Sequence, residues 1–194
     1  MGRPPRIFVP DGIYHVASRG SDRRPLFLLD SDRDEFLERL EQTMERYQLP
    51  CLAYCLMGNH YHLIVQTPDA HLSAALRELH GGYSRHFNHV HGRSAHLFLN
   101  RFLAQPIDSD SYLLTACRYV AHNPVRAGLC DRPSDWPWNS YRASAGVEPS
   151  PAFLSEEELR NAFGGGAEWR ARYREFIESQ SPVTTPLGHK ELHS

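Results

Sequence analysis

Two apolar runs around a two-residue turn constrain this sequence most. The runs are CLAYCLM and HYHLIVQT, and Gly58-Asn59 lies between them. Each run has the length of one strand, and Asn tolerates the positive φ of a tight turn, so residues 51–67 are predicted to form a β-hairpin. Side chains alternate between the two faces of a strand. His60 and His62 are therefore predicted on one face, about 7 Å apart along the strand.

Strands and helices are also predicted on both sides of this hairpin. Before the hairpin, a strand is predicted over residues 13–19, ending at Gly20, and a helix over 30–49, capped by Asp30 or Ser31. After the hairpin, a helix is predicted from about Ser73 within 71–92, and a strand over 96–107. A last helix is predicted over 108–123, capped by Asp108 or Ser109 and ended by Pro124. The order β-α-β-β-α-β-α predicts an α+β, ferredoxin-like (RRM-like) fold with one added helix. His60 and His62 then lie on a central strand of an open sheet, one face of which can stay bare.

The composition changes after Gly146. We interpret residues 1–146 as one domain, 147–178 as a helical C-terminal extension with two short helices, and 179–194 as a disordered tail. Residues 148–194 carry 5 basic and 8 acidic residues. We expect such a segment to regulate the domain by lying over a basic groove. Alternatively, it can pack onto the domain as a strut, through Trp169, Tyr173, Phe176 and Ile177.

Charge and cysteine content narrow the class of protein. The net charge of −2 gives no reason to expect nucleic-acid binding. However, all basic residues except Lys190 are arginines. Arginine fits phosphates and base edges, although a GC-rich genome would produce the same bias. No CxxC pair, secretory signal core or apolar run near 18 residues is present, so we expect a cytoplasmic protein without a membrane segment.

The segment YVAHN on the last predicted helix of the domain adds a second group of polar residues. Tyr119 and Asn123 are four residues apart, so they share one helical face, about 6 Å apart along the axis. An Asn carbonyl oxygen suits Mg²⁺ or Mn²⁺, and neutral imidazoles are common metal ligands. Each residue also has a purely structural explanation, since Tyr119 can pack at the helix edge and Asn123 can cap the helix before Pro124. His122 is an alternative third ligand.

Two histidines, a divalent metal and a nearby tyrosine together suggest phosphoryl transfer. A free phenol has a pKa near 10, so its ionised form lies about 4 kcal/mol uphill at pH 7. A cation on the scissile phosphate can stabilise the developing charge. The product would be a phosphotyrosine ester, which conserves the energy of the bond and lets a second hydroxyl complete a transfer.

Several motifs resemble those of one enzyme family. GNHYHLIV resembles the His-hydrophobic-His motif of HUH endonucleases, and RYVAHNPVRAGL resembles the catalytic-tyrosine helix of single-tyrosine HUH transposases. More closely, the chain resembles REP-associated tyrosine transposases, since GIYHVASRGSDRRPLF, YSRHFNHVHGRSAHLFLNRF and WPWNSYRAS occur in the order typical of that branch. The resemblance covers roughly residues 10–145.

This resemblance implies a role for each matching residue. His60 and His62 would bind Mg²⁺ or Mn²⁺, Tyr119 would be the nucleophile, and Asn123 would be the third ligand, where related enzymes often carry Gln. The implied substrate is a single-stranded DNA hairpin with a short flanking tetranucleotide, nicked and rejoined through a covalent 5′-phosphotyrosine. The candidate DNA-binding residues are Arg19, Arg23, Arg24, Arg101 and Arg126. Both a monomer and a homodimer are compatible with the sequence.

Other classes of protein share parts of this pattern. RNA-recognition domains have the same β-α-β-β-α-β order and bind RNA or single-stranded DNA without chemistry, but they carry aromatic residues where His60 and His62 stand. An inactive transposase descendant could retain hairpin binding as a regulator. A plasmid-type replication initiator would use the same chemistry, but the short chain without a helicase domain disfavours it.

Overall fold

The computed structural model describes residues 9–69, 71–99 and 101–179, and within them the predicted α+β organisation is confirmed. The main elements are β1 (Gly12–Arg19), α1 (Asp30–Arg46), β2 (Cys51–Leu56), β3 (His60–Thr67), α2 (Leu72–Val90), β4 (Leu103–Ile107) and α3 (Asp110–Arg126). Three further helices follow, α4 (Tyr141–Ser144), α5 (Glu157–Ala162) and α6 (Trp169–Glu178). The predictions for residues 1–8 and 180–194 lie outside the described residues. No helix in the described part of the chain is long and apolar enough to span a membrane.

The four strands form one antiparallel sheet in the order β2-β3-β1-β4. β3 is therefore a central strand, as predicted. Its register with β1 places His60 opposite Arg19 and His62 opposite Ala17. Because facing residues of an antiparallel pair point to the same side, His15 and Arg19 of β1 share a sheet face with both histidines of β3.

The β2–β3 hairpin is as tight as predicted, but its turn has a different backbone conformation. The Met57 amide donates to the His60 carbonyl at 2.9 Å. Neither Gly58 nor Asn59 has a positive φ, so the prediction of a left-handed residue in this turn is wrong. The turn is held from outside instead, since the Asn59 carbonyl accepts from the Gly20 amide at 2.8 Å.

Gly20 is the position in this region where only glycine fits. A Cβ on Gly20 would lie 2.1 Å from the carbonyl oxygen of Arg24. The short 3-10 turn at Ser21–Arg23 thus folds back onto the end of β1, and the backbone of Arg23 accepts a 3.4 Å bond from the Asn59 side-chain amide. This packing fixes the loop next to the start of β3.

Helices cover both faces of the sheet, so the expectation of a bare face is wrong. One core cluster lies between the sheet and α1–α2, and it includes Phe36, Leu40, Tyr61, Leu63 and Tyr83. The other lies on the histidine face under α3 and the C-terminal helices, and it includes Ile64, Cys117, Val120, Tyr141 and Tyr173. The apolar stripe of α3 needs burial, and the sheet face supplies the apolar surface for it.

Two predicted boundaries are corrected by the structure, and a third is confirmed. β4 begins at Leu103 rather than residue 96, so Arg101 precedes the strand. α3 continues through Pro124 to Arg126, because proline removes only one amide donor and the Ala127 amide still bonds to the Asn123 carbonyl at 3.0 Å. Ser109 caps α3 as predicted, with its hydroxyl accepting from the Tyr112 amide.

The start of α1 is also capped differently from the prediction. The helix begins after Leu29, and the side chain of Asp32 accepts from the amides of Leu28 and Leu29 at 2.8 and 2.9 Å. The Nε2 atom of His91, beyond the end of α2, lies 2.8 Å from the other oxygen of Asp32. A buried carboxylate therefore ties the start of α1 to the end of α2.

The C-terminal extension packs onto the domain as a strut. Leu159 of α5 and three residues of α6 (Trp169, Tyr173 and Ile177) are buried in the cluster beneath α3. Phe176 is partly buried against the same cluster. The burial of four large apolar side chains supports the structural alternative that the sequence left open.

Candidate active site

Tyr119 lies against the histidines of β3. The ring centroids of His60 and His62 are 5.1 Å apart, and the centroid of Tyr119 lies 5.5 Å from that of His62. All three side chains are buried. Packing of α3 on the sheet therefore brings the predicted metal-binding pair and the predicted nucleophile together within one chain.

Hydrogen bonds on the Nδ1 atoms orient both imidazoles. His60 Nδ1 lies 2.8 Å from the side-chain oxygen of Asn59, which can only accept, so Nδ1 carries the proton. The orientation of the Asn59 amide is supported by its NH₂ group, which donates to the Arg23 carbonyl. In the neutral ring, the lone pair of His60 is then on Nε2, the nitrogen that can bind a metal.

His15 performs the corresponding role beside His62. Its Nε2 lies 3.1 Å from Nδ1 of His62, and its ring centroid is 5.8 Å from that of Tyr119. When His62 Nδ1–H donates to His15, the lone pair of His62 is on Nε2. Strand alternation within residues 13–19 implies only that His15 shares a face with Arg19. Its contact with His62 depends on the β1–β3 register, which neither strand shows alone.

The environment of Tyr119 both opposes and supports ionisation of its phenol. Burial raises the pKa of Tyr119, while a hydrogen bond from the Asn123 side chain and the nearby guanidinium of Arg126 act to lower it. The net pKa is raised. The Cζ atom of Arg126 lies 5.0 Å from the centre of the Tyr119 ring. Arg126, predicted as a DNA-binding residue, thus lies directly on the candidate nucleophile.

Asn123 and His122 differ clearly in position. Asn123 is buried on the Tyr119 face, and its amide also bonds to the Tyr119 carbonyl at 3.4 Å. His122 instead lies with Nε2 2.7 Å from the Ile177 carbonyl of α6. Among the described residues, no three His, Cys, Asp or Glu side chains form a metal site. A metal beside His60 and His62 would therefore need a ligand such as the Asn123 amide oxygen.

The predicted DNA-binding arginines surround the site unevenly. Arg19 faces the same side of the sheet as His60, to which it is paired across β1 and β3. Arg23 and Arg24 are exposed in the loop that packs on the β2–β3 turn. Arg101 is exposed ahead of β4, near the opposite face of the sheet.

Comparison with known proteins places the chain in a family. The sequence matches the family Transposase IS200 like over residues 8–123, more than half of its length, and the chain belongs to this family. A Haemophilus influenzae protein classed among REP-associated tyrosine transposases is 27% identical over 157 residues, covering 75% of this chain and 89% of that protein. The resemblance to this branch is confirmed.

A solved structure agrees with the fold. The structure of a REP-associated tyrosine transposase bound to a REP hairpin matches with a TM-score of 0.65 and 20% identity, over 80% of this chain and 92% of the other. At this identity the match establishes the shared architecture, which combines helices with a four-stranded antiparallel sheet.

Proposed function

We propose that this chain nicks and rejoins single-stranded DNA at hairpin sequences, with Tyr119 as nucleophile and Mg²⁺ or Mn²⁺ as cofactor. The observation that carries the proposal is the position of Tyr119 against His62, in a member of the IS200-like transposase family. The centroids of the two rings lie 5.5 Å apart. The hairpin-bound relative supports a DNA hairpin as the partner. The strand order β2-β3-β1-β4 supports a ferredoxin-like topology.

The side chains around Tyr119 fit a divalent metal. Both imidazoles carry Nδ1 hydrogen bonds that favour Nε2 as the metal-binding nitrogen, and the Asn123 amide oxygen suits a hard cation. His60, His62 and Asn123 would hold the ion, which when bound polarises a phosphate as a Lewis acid. The position of His122 beside Ile177 favours Asn123 as the third ligand.

In the proposed step the Tyr119 oxygen attacks the phosphorus of the scissile phosphodiester. A Tyr–O–P bond forms, the P–O3′ bond breaks, and the 5′ end of the DNA becomes attached to Tyr119. The phenolic proton passes to solvent and the leaving 3′ oxygen takes up a proton. The Arg126 guanidinium favours the developing phenolate charge. Attack by a 3′-hydroxyl on the phosphotyrosine reverses the step and rejoins DNA.

The test is formation of a covalent adduct on a hairpin oligonucleotide with single-stranded flanks, taken from a palindrome beside the coding sequence. The protein is incubated with it and Mn²⁺, and the products are separated on a denaturing gel. We expect an adduct for the wild type and none for Tyr119→Phe, which removes one oxygen and should still bind the hairpin. Tyr112→Phe, half-buried on the same helix, is the matched control.

Two results would contradict this assignment. Mass spectrometry that places the phosphotyrosine on Tyr112 or Tyr141 would exclude Tyr119. Hairpin binding without any adduct would favour the non-catalytic binding module. For the metal, EDTA or His62→Ala should abolish nicking while hairpin binding persists in part, and nicking that continues undiminished in EDTA would rule out the cofactor.

A further inference from the structure

A cavity lies on the face of the sheet opposite Tyr119. It has a volume of about 550 Å³ and opens between α2 and residues 94–98, 101 and 102, which precede β4. This volume is within the range of small-ligand sites. The residues that matter for its chemistry are Arg77, His80, Gly81, Ser84, Phe98 and Arg101.

Two stacked aromatic rings form one wall of this cavity. The rings of His80 and Phe98 are 3.9 Å apart between centroids and nearly parallel, at 16°. Tyr61 braces them from behind, with its hydroxyl 2.6 Å from Nε2 of His80. Burial lowers the pKa of His80 to about 4, so its ring is neutral at pH 7 and shares a hydrogen bond with the Tyr61 hydroxyl. The wall is thus a fixed, uncharged aromatic surface.

Gly81 lines the helical side of the cavity. Glycine inside a helix is unfavourable relative to alanine, so its use needs a reason. For the neighbouring Gly82 the reason is packing, because a Cβ there would lie 3.0 Å from the guanidinium of Arg39 on α1. A Cβ on Gly81 would meet only the end of Arg85, at 3.4 Å. Close packing therefore does not explain the glycine at position 81, and this residue borders the cavity.

The rim of the cavity is positively charged. Arg77 and Arg101 are exposed, and neither forms an ion pair within the described residues. No Asp or Glu is present among the described residues that line the cavity. The hydroxyl of Ser84 and the side-chain oxygen of Asn88 add hydrogen-bonding groups to its lining, while the NH₂ group of Asn88 donates to the Ala95 carbonyl. An aromatic wall, polar groups and two cations suit an aromatic base attached to a phosphate.

The segment that carries Phe98 continues to the catalytic face. The Leu99 amide donates to the Arg19 carbonyl at 3.0 Å, and Phe98 forms a bridge with Gly20 at the end of β1. Arg19 in turn is paired with His60. A DNA strand with one nucleotide in the cavity can therefore pass around the end of β1 towards His60 and Tyr119.

We propose that this cavity binds one unstacked nucleotide from a single-stranded part of the DNA substrate, with its base against His80 and Phe98 and its phosphates at Arg77 and Arg101. The inference rests on the proposed function, since it assigns a second site on the same DNA. It differs from the alternative of a site for free nucleotides, which would not need continuity with the catalytic face.

The experiment uses the full chain and the flanked hairpin, with 5-iododeoxyuridine at one unpaired position at a time. Irradiation should crosslink at least one position to a peptide that contains His80 or Phe98. Gly81→Leu should abolish that crosslink and weaken binding of the flanked hairpin about tenfold, as expected for loss of one stacked base. His89→Leu adds the same side chain at an exposed position of α2 and should change neither.

If Gly81→Leu fails to fold, the double variant Arg77→Gln/Arg101→Gln decides, because both side chains are exposed. The plot of the logarithm of the hairpin binding constant against the logarithm of salt concentration should become shallower, its slope falling in magnitude by about 0.7 for each lost phosphate contact. Arg160→Gln should leave this slope unchanged. An unchanged slope, or crosslinks that never reach α2 or residues 94–102, would overturn the inference. So would binding of dTMP as tight as that of a 12-nucleotide oligo(dT).

The adduct assay on the same samples separates the two proposals. An adduct on Tyr119 without the crosslink would refute the nucleotide site alone. A crosslink at His80 or Phe98 without any adduct would support the nucleotide site and refute the nicking activity.

Discussion

The Nε2 atom of His15 on β1 lies 3.1 Å from Nδ1 of His62 on β3, and both rings are completely buried. An outer hydrogen bond of this kind fixes the orientation and tautomer of an imidazole that binds a metal, and its loss usually weakens metal affinity about 10–100-fold. We therefore assign His15 to the positioning of His62.

The first prediction is that His15→Leu weakens Mn²⁺ binding by about 10–100-fold. Titration calorimetry of the DNA-free protein with Mn²⁺ measures this directly. His15→Gln should recover part of the affinity, because its amide oxygen can accept from His62, and His89→Leu should have no effect. Equal Mn²⁺ affinities for His15→Leu and the wild type, with both proteins folded, would show that His15 has only a packing role.

The second prediction concerns the arginines beside the site. Arg19→Ala and Arg23→Ala should each reduce hairpin affinity, and each should lower the magnitude of the log–log salt slope by about 0.7–0.9 per lost phosphate contact. Fluorescence anisotropy across a salt series gives both quantities. Arg160→Ala, on α5, is the control with the same charge change. If affinity and slope stay at wild-type values in both variants, the DNA does not follow this side of the site.

The third prediction links Asp32 to acid stability. Burial acts to raise the pKa of Asp32, but its hydrogen bonds with His91, Leu29 and Leu28 outweigh this effect and lower the pKa. A lowered pKa in the folded state means that the carboxylate stabilises the protein above its unfolded pKa of about 3.9 and loses that contribution as the pH falls. Asp32→Asn should reduce the free energy of unfolding by about 2 kcal/mol at pH 7.

Urea unfolding at pH 7 and at pH 3 tests this assignment. The difference between Asp32→Asn and the wild type should shrink at pH 3, because this pH lies below the unfolded pKa of about 3.9 and the unfolded chain binds a proton that the folded state disfavours. Asp34→Asn, on the exposed side of the same helix, should differ little from the wild type at either pH. A difference for Asp32→Asn that is the same at both pH values would mean that charge is not the source of the effect.

The fourth prediction is that the C-terminal extension is required for stability. A chain that ends at Gly146 loses α5 and α6, so its melting temperature should fall strongly and nicking should be lost. Trp169→Ala alone should cost about 3–5 kcal/mol, as for other buried tryptophans. A chain that ends at Ser179 keeps both helices and serves as the control. A stable, active protein after truncation at Gly146 would restore the regulatory interpretation.

Local patterns in the sequence predicted much of the candidate site. The alternation around His60 and His62 follows from strand geometry, and the four-residue spacing of Tyr119 and Asn123 follows from helix geometry. Both depend only on residues that are neighbours in the chain. The order of strands and helices and the cap of α3 at Ser109 were also predicted, because both are signalled by residues close together in the chain.

Tertiary packing decided what the local patterns left open. The contact of His15 with His62 follows from the pairing of β1 with β3. The orientation of His122 towards Ile177 follows from the packing of α6 on α3, and it separates His122 from Asn123. The stack of His80 on Phe98, behind Tyr61, arises only where α2 meets the segment before β4.

The physical reason is the range of the interactions. Strand alternation and helical spacing are set by backbone geometry, which a stretch of ten residues already expresses. Strand register and helix packing are set by burial of apolar surfaces that lie far apart in the chain, such as β3 and α3 around Ile64 and Val120. The sequence alone thus determined which residues could form a metal-and-tyrosine site, and the tertiary structure decided which of them meet.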